Sequence, residues 1–189
     1  MIDKTKFTSI AMGTLLAFSG ITDASGIVIR HDKPVENYLA DMHDFPPLAT
    51  FYNIGVHGTL IAPEWVLTAT HTVFCLNAGQ TIKVGNEFVE VESTFSFPSY
   101  ELGGENDLSL VKLSRPIKSA KPAKLYRSND EVGKTVWFIG SGGTGTGLTG
   151  QTVSNEENNG VLRKAENQVL SVTDSDLRFI FEPGNEGLE

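Results

Sequence analysis

A histidine and an aspartate that border apolar segments are the residues of this chain whose types and positions favour acid–base chemistry. His71 ends the segment GTLIAPEWVLTATH, and Asp107 precedes the segment LSLVKL, 36 residues further along the chain. A carboxylate that accepts the proton of one imidazole nitrogen fixes the tautomer of the ring and leaves the other nitrogen free to take a proton from a nucleophile. A histidine beside a strand is more often structural than catalytic, so both interpretations stay open at this point.

The elements that must position this pair are predicted to be short β-strands. Residues 59–61 and 65–68 flank an Ala-Pro-Glu turn, and Val89 and Val91 alternate with glutamates in the period of a half-buried strand. Further strands are predicted from apolar or alternating residues at 108–113, 136–139, 161–172 and 177–181. Many short strands bounded by Gly, Pro, Asn and Asp predict an all-β sandwich or barrel. The segments 140–150 and 154–160 are predicted to be surface loops, because glycine and polar residues dominate them.

The letters around both residues carry a family resemblance. GTLIAPEWVLTATH and NDLSLVKLSRPI resemble the histidine and aspartate segments of the chymotrypsin/trypsin-like serine peptidase family, in the family's chain order of His before Asp. VWFIGSGGT is similar to the strand and glycine turn that open the second barrel of that family. The resemblance extends from about Ile27 to the last residue.

The resemblance implies a fold, an activity and two site residues. The expected fold is all-β, a two-barrel trypsin-like fold with the second barrel incomplete: residues 26–121 would form the first barrel and residues 122–189 part of the second. His71 would be the general base and Asp107 its orienting carboxylate in a Ser-His-Asp endopeptidase. The implied substrate is a protein or peptide, and no cofactor is implied.

The sequence also departs from the family pattern. The 189 residues contain no Gly-Asp-Ser-Gly-Gly-Pro segment, where the family has its nucleophile, and they end on FEPGNEGLE, which resembles the approach to that segment. The expectation is a truncated endopeptidase, inactive as given; the alternative is a non-catalytic pseudoprotease that binds a protein partner. Where the family usually has a cysteine pair bracketing the histidine strand, this chain has His57 and Thr72.

Composition and the N-terminal segment bear on partners and compartment. With 15 Lys+Arg against 23 Asp+Glu, the net charge is −8, which disfavours a nucleic-acid binder. Lys4 and Lys6, an apolar run at 10–18 and small residues at 24–25 are typical of a secretory signal peptide over residues 1–25, too short to span a membrane. Export to the periplasm or the medium is therefore expected, and the oligomeric state is left open.

Four other features could suggest chemistry, and none is predicted to carry it. Cys75 is expected to be a small buried apolar side chain, with a catalytic thiolate as the alternative. Ser141 imitates a nucleophile between glycines, and the same loop has a Gly-x-Gly-x-x-Gly pattern, but no helix is predicted to follow it and hold a pyrophosphate. His31-Asp32 and the segment 41–44 lack the spacing of metal ligands, so no metal site is predicted.

Overall fold

The described part of the protein is dominated by β-strands, which confirms the predicted all-β fold class. The structure is a computed structural model, and it describes residues 27–52, 55–174 and 176–181. The predicted signal peptide, residues 1–25, lies outside the described residues.

A closed barrel of six antiparallel strands forms the first half of the fold. After strand β1 (Ile27–Ile29) and a 3₁₀ turn (Val35–Tyr38), the barrel strands are β2 (Leu48–Tyr52), β3 (Val56–Ala62), β4 (Trp65–Thr68), β5 (Thr81–Val84), β6 (Glu87–Ser96) and β7 (Ser109–Leu113). Their order is β2-β3-β4-β7-β6-β5, and pairing of β5 with β2 closes the barrel. A one-turn helix, α1 (Thr70–Val73), follows β4.

Alternation along the strands fills the barrel. On β7, Ser109, Val111 and Leu113 are buried while the residues between them are only partly so. Leu60 on β3 and Val66 on β4 are fully buried in the same core. Burial of each such side chain contributes about 1.5–3 kcal/mol to the stability of the fold. The core therefore makes the barrel a rigid support for the residues at its rim.

The strands after the barrel, which we call the second unit, form small separate sheets. They are β8 (Thr135–Gly140), β9 (Thr144–Thr146), β10 (Gly150–Val153), β11 (Arg163–Gln168), β12 (Ser171–Val172) and β13 (Leu177–Arg178), with a short helix α2 (Asn155–Asn158). Strand β8 pairs with β11, β12 pairs with β13, and β9 pairs with both β10 and β1. Among the described residues these sheets do not close into a second barrel. The predicted division after residue 121 stays a prediction, although β1 pairs with a strand of the second unit.

The structure corrects the predictions for residues 140–150, residues 154–160 and Cys75. The predicted strand in residues 161–172 is confirmed by β11 and β12. The predicted loop 140–150 is wrong in part, because β9 lies inside it; a side chain at Gly145 would lie 1.8 Å from the Gly150 carbonyl oxygen, so only glycine permits the pairing of β9 and β10. In the predicted loop 154–160, Ser154 and Glu157 instead form a capping box that starts α2. Cys75 is exposed, so its prediction as a buried side chain is wrong.

Candidate active site

His71 lies at the rim of the barrel, in the single turn of α1. Strand β4 ends at Thr68, Ala69 has an extended backbone, and the helix begins at Thr70. This change of direction places the imidazole beyond the end of the strand, where 57% of the side-chain surface is exposed. The imidazole ring is therefore supported by the well-packed barrel and is accessible to a molecule that approaches from solvent.

Asp107 reaches the same rim from the start of β7. Asn106 before it has a left-handed backbone (φ 62°), and the Leu108 N–H donates to the Asn106 carbonyl oxygen at 2.7 Å, which closes a tight turn at Asp107. Strand β7 then pairs with β4, the strand that leads to His71. The neighbouring strands therefore bring both residues to one place.

His71 and Asp107 make two hydrogen bonds. The ring nitrogen Nδ1 lies 2.6 Å from Oδ2 of Asp107, and the backbone N–H of His71 donates to Oδ1 at 2.9 Å. A carboxylate can only accept, so Nδ1 carries the proton and Nε2 of the neutral ring has a free lone pair. Within residues 27–52, 55–174 and 176–181, Nε2 has no hydrogen-bond partner. The arrangement can therefore accept a proton at Nε2.

The environment of Asp107 favours its ionised form. Partial burial alone would raise the pKa of Asp107, but the hydrogen bonds from the ring and backbone of His71 outweigh it, so the pKa lies below the ordinary value of 3.8. One third of the Asp107 side chain remains exposed. The carboxylate is thus charged at neutral pH and stabilises positive charge on the ring of His71.

Two buried hydroxyls behind the pair support it, and the sequence interpretation missed them. Thr70 Oγ1 donates to the Leu108 carbonyl oxygen at 2.7 Å, and Ser109 Oγ donates to Thr70 Oγ1 at 2.9 Å. They join the residue before His71 to the residues after Asp107, so they hold α1 against β7. Their position next to the two motif residues is the only signal in the sequence that could have identified them.

Hydrogen-bonding groups connect His57 and Thr72, the two positions at which the resemblance gives a cysteine pair. Thr68 Oγ1 lies 2.9 Å from both the His57 carbonyl oxygen and Thr72 Oγ1, and Thr72 Oγ1 lies 2.7 Å from the Ala69 carbonyl oxygen. The two hydroxyl protons serve two of these three contacts at a time, so Thr72 donates to Thr68 when Thr68 donates to His57. This Thr68–Thr72 relay joins β3 to the helix that carries His71. Hydrogen bonds thus replace a covalent link between these elements.

Ser141 lies against His57 instead of His71. Its Oγ is 2.9 Å from Nε2 of His57, and its backbone N–H donates to the same nitrogen at 3.0 Å. The other ring nitrogen of His57 lies 3.2 Å from Thr50 Oγ1. Burial lowers the pKa of His57 below its ordinary value, although backbone groups of Ala49 and Ser141 act in the opposite direction. His57 is therefore a neutral ring between the barrel and the second unit.

Four of the residues considered as metal ligands, Asp32, Asp41, His43 and Asp44, have other partners. Asp32 binds Arg30 at 2.7 Å, Asp44 binds Lys164, and His43 Nδ1 lies 3.1 Å from Asp41. Within the part of the chain that the structure describes, no three His, Cys, Asp or Glu side chains come together in a way that could hold a metal ion. Asp32 and Asp44 form ion pairs with Arg30 and Lys164, and His43 is hydrogen-bonded to Asp41.

A closed β-barrel with a histidine–aspartate pair at its rim defines a protein that can present a base to an incoming hydroxyl. The model of the trypsin family matches residues 34–179, which is most of the chain. The chain therefore belongs to the trypsin-like serine protease family, and the trypsin-like fold class expected from the resemblance is confirmed. Serine proteases of this kind act on proteins. Among the described residues, no helix has the length and apolarity needed to cross a lipid bilayer.

Proposed function

We propose that this sequence is part of an exported trypsin-like serine endopeptidase that cleaves peptide bonds with a Ser-His-Asp triad. His71 acts as the general base through Nε2, and Asp107 holds the ring in the tautomer that this requires. The observation that carries the proposal is the double hydrogen bond between Asp107 and His71, which leaves Nε2 free at the rim of the barrel. Residues 1–25 direct the chain out of the cytoplasm.

The step that the pair performs is proton transfer. A serine hydroxyl donates its proton to Nε2 as its oxygen forms a bond to the peptide carbonyl carbon, and the imidazolium then returns the proton to the leaving amine. No Gly-Asp-Ser-Gly-Gly segment occurs in these 189 residues, so the proposal requires a serine from sequence beyond them. The 189-residue chain by itself is expected to be inactive.

The test is expression of the coding sequence extended beyond the Glu189 codon, with hydrolysis of a casein or peptide substrate as the measurement. We expect activity that falls by roughly 10⁶-fold in His71→Ala, which removes the general base, and by roughly 10⁴-fold in Asp107→Asn, which removes the carboxylate that orients it. His43→Ala is a matched control, since His43 also lies beside an aspartate but is 86% exposed. Activity that survives both site changes would refute the assignment.

The second candidate is a non-catalytic pseudoprotease that binds a protein. It is favoured by the exposed apolar side chains of the second unit, among them Trp137, whose surface is 62% exposed. Beside it a cavity of about 620 Å³ is lined by residues of both halves, including Phe138 and His57. A reading frame that stops after Glu189, with a soluble product that unfolds cooperatively, would support this candidate over the endopeptidase.

A further inference from the structure

We propose that neutral His57 is a pH-sensitive clasp: it holds the Ser141 turn of the second unit against the barrel, and its protonation releases that turn. The inference concerns the junction between the two halves and does not rest on the proposed catalytic function. It is carried by the hydrogen bonds that converge on one ring nitrogen.

The hydrogen bond from the Ser141 backbone fixes the protonation state of the ring. Because that N–H donates to Nε2 at 3.0 Å, Nε2 must hold a lone pair, and the single ring proton resides on Nδ1 beside Thr50. A second proton would have to bind to Nε2. Nε2 would then be a donor that faces the Ser141 N–H, which is also a donor, and the hydrogen bond between them would be lost. The Ser141 hydroxyl at 2.9 Å could accept from the protonated ring, but the buried amide would lose its acceptor.

The backbone around Ser141 leaves little room for adjustment. Gly55 approaches so closely that a side chain there would lie 2.1 Å from the Ser141 carbonyl oxygen, and its φ of +107° suits glycine. Ser141 is itself buried, with 8% of its surface exposed. Loss of the amide hydrogen bond therefore cannot be compensated easily by water while the junction stays closed.

The charged groups that face His57 do not provide a carboxylate dedicated to it. Asp44 and Lys164 share the cavity wall with His57, but they bind each other. Across the sheet, Thr50 is paired with His57 on one side and with Lys83 on the other, so the charged residue on the strand beyond Thr50 is a cation. This environment favours the neutral ring at physiological pH.

The direction of the pH dependence follows from the burial of the ring. Burial lowers the pKa of His57 in the closed junction below its ordinary value of 6.5, against the smaller opposite effects of the Ala49 and Ser141 backbone, so opening the junction takes up a proton at pH values below 6.5. The clasp is at full strength above pH 6.5 and weakens as the pH falls through that value. Mild acid should therefore open the junction while the barrel core remains folded.

The experiment is amide hydrogen exchange of the 189-residue chain between about pH 5 and pH 7.5, the range in which histidine titrates. After correction for intrinsic exchange, we expect the Ser141 amide to exchange roughly tenfold faster at the lower pH, as loss of one buried hydrogen bond implies. The amide of Val111 in the barrel core is the internal reference. Equal corrected rates at both pH values would overturn the inference.

Three variants separate the clasp from general stability. His57→Gln offers an amide oxygen to the Ser141 N–H but does not titrate, so the pH dependence should vanish. In Ser141→Ala the amide remains but the hydroxyl that could receive the ring proton is absent, so the dependence should persist or become steeper; this variant serves if His57→Gln fails to fold. His43→Gln removes an exposed histidine and should leave the dependence unchanged. A pH dependence that persists in His57→Gln or disappears in His43→Gln would refute the role of His57.

Discussion

Asp107 holds His71 through two atoms of that residue, the ring nitrogen Nδ1 and the backbone nitrogen. One carboxylate oxygen serves each of them, at 2.6 and 2.9 Å. Since the backbone bond fixes the start of α1 and the ring bond fixes the imidazole, a change in one is transmitted to the other. The orientation of the base therefore depends on a single carboxylate.

Asp107→Asn tests this dependence at the residue scale in the chain as it stands. The amide nitrogen of asparagine would be a donor facing Nδ1–H, so we expect the neutral ring of His71 to move its proton to Nε2. Ring ¹⁵N shifts measured at about pH 8.5, above the usual titration range of histidine, report the tautomer. The same change at Asp41, beside His43, should leave the shifts of His71 unchanged. Retention of the Nδ1–H tautomer in Asp107→Asn would contradict the assignment.

Asn106 provides a second prediction at this scale. Its φ of 62° lies in the left-handed region, which asparagine and glycine adopt far more easily than a β-branched residue. We expect Asn106→Val to lower the free energy of unfolding by about 1–2 kcal/mol and Asn106→Gly to change it by less, as measured by urea denaturation. The control is Asn129→Val, at a residue without positive φ. Equal costs at positions 106 and 129 would show that the turn does not require this backbone.

Residue types and spacing predicted His71 and Asp107 as site residues, because both belong to short sequence motifs that resemble those of a known family. The Thr70 and Ser109 hydroxyls were missed because threonine and serine are common in strands and carry no distinct pattern. The contact of His57 with Ser141 joins residues 84 positions apart, and only the folded arrangement of the two halves reveals it.

One glutamate binds the segment that leads from the barrel to the second unit. Glu87 at the start of β6 accepts hydrogen bonds from the backbone N–H groups of Lys118 and Ser119 and forms an ion pair with Arg115. The Arg115 guanidinium first, and the two backbone donors with it, lower the pKa of Glu87 from 4.5 to about 2. The segment that leaves β7 is thereby fastened to the β5–β6 hairpin.

Glu87→Gln should reduce the acid sensitivity of the fold. The stability that the ionised carboxylate contributes is fully present above pH 4.5 and is lost as the pH falls from about 4.5 to about 2. Urea denaturation across this range should show a shallower decline in the variant than in the parent chain. Glu101→Gln, at an exposed loop position, is the control and should follow the parent. A parallel decline in Glu87→Gln and the parent would contradict the role of Glu87.

Strands were predicted where apolar residues alternate or cluster, as in β4, β7 and β8, because the core imposes that pattern on the sequence. Strand β9 escaped prediction for a physical reason. Its residues Thr144–Thr146 include Gly145, and glycine in a sequence is typical of a loop. In the structure, glycine is required at this position because β10 approaches it closely. Its other partner, β1, lies near the start of the described chain, beyond any local pattern.

At the scale of the whole molecule, the two halves differ in completeness. The barrel has no free strand edge, whereas β8 pairs on one side only among the described residues. Large apolar side chains are exposed on the second unit. The rings of Phe138 and Phe179 pack together there with their centroids 4.7 Å apart, and both side chains remain partly exposed. An unpaired edge beside apolar surface favours association with another chain.

Trp137→Lys should therefore increase the monomer fraction of the 189-residue chain. A charged residue on an exposed edge strand opposes pairing with a second strand and removes a large apolar side chain from the surface. Sedimentation velocity over a range of concentrations measures the change. Leu102→Lys, in a loop and with 79% of its surface exposed, should have a smaller effect. Identical sedimentation of the parent and Trp137→Lys would show that this edge does not mediate association.

The Thr68–Thr72 relay has a consequence for the redox conditions under which the barrel stays folded. Reducing agents do not break hydrogen bonds between hydroxyl and carbonyl groups. Adding dithiothreitol or changing the glutathione ratio should therefore leave the unfolding temperature of the barrel unaltered. Water competition and heating are what loosen such links. A protease barrel fastened in this way can mature without an oxidant and tolerate reducing surroundings.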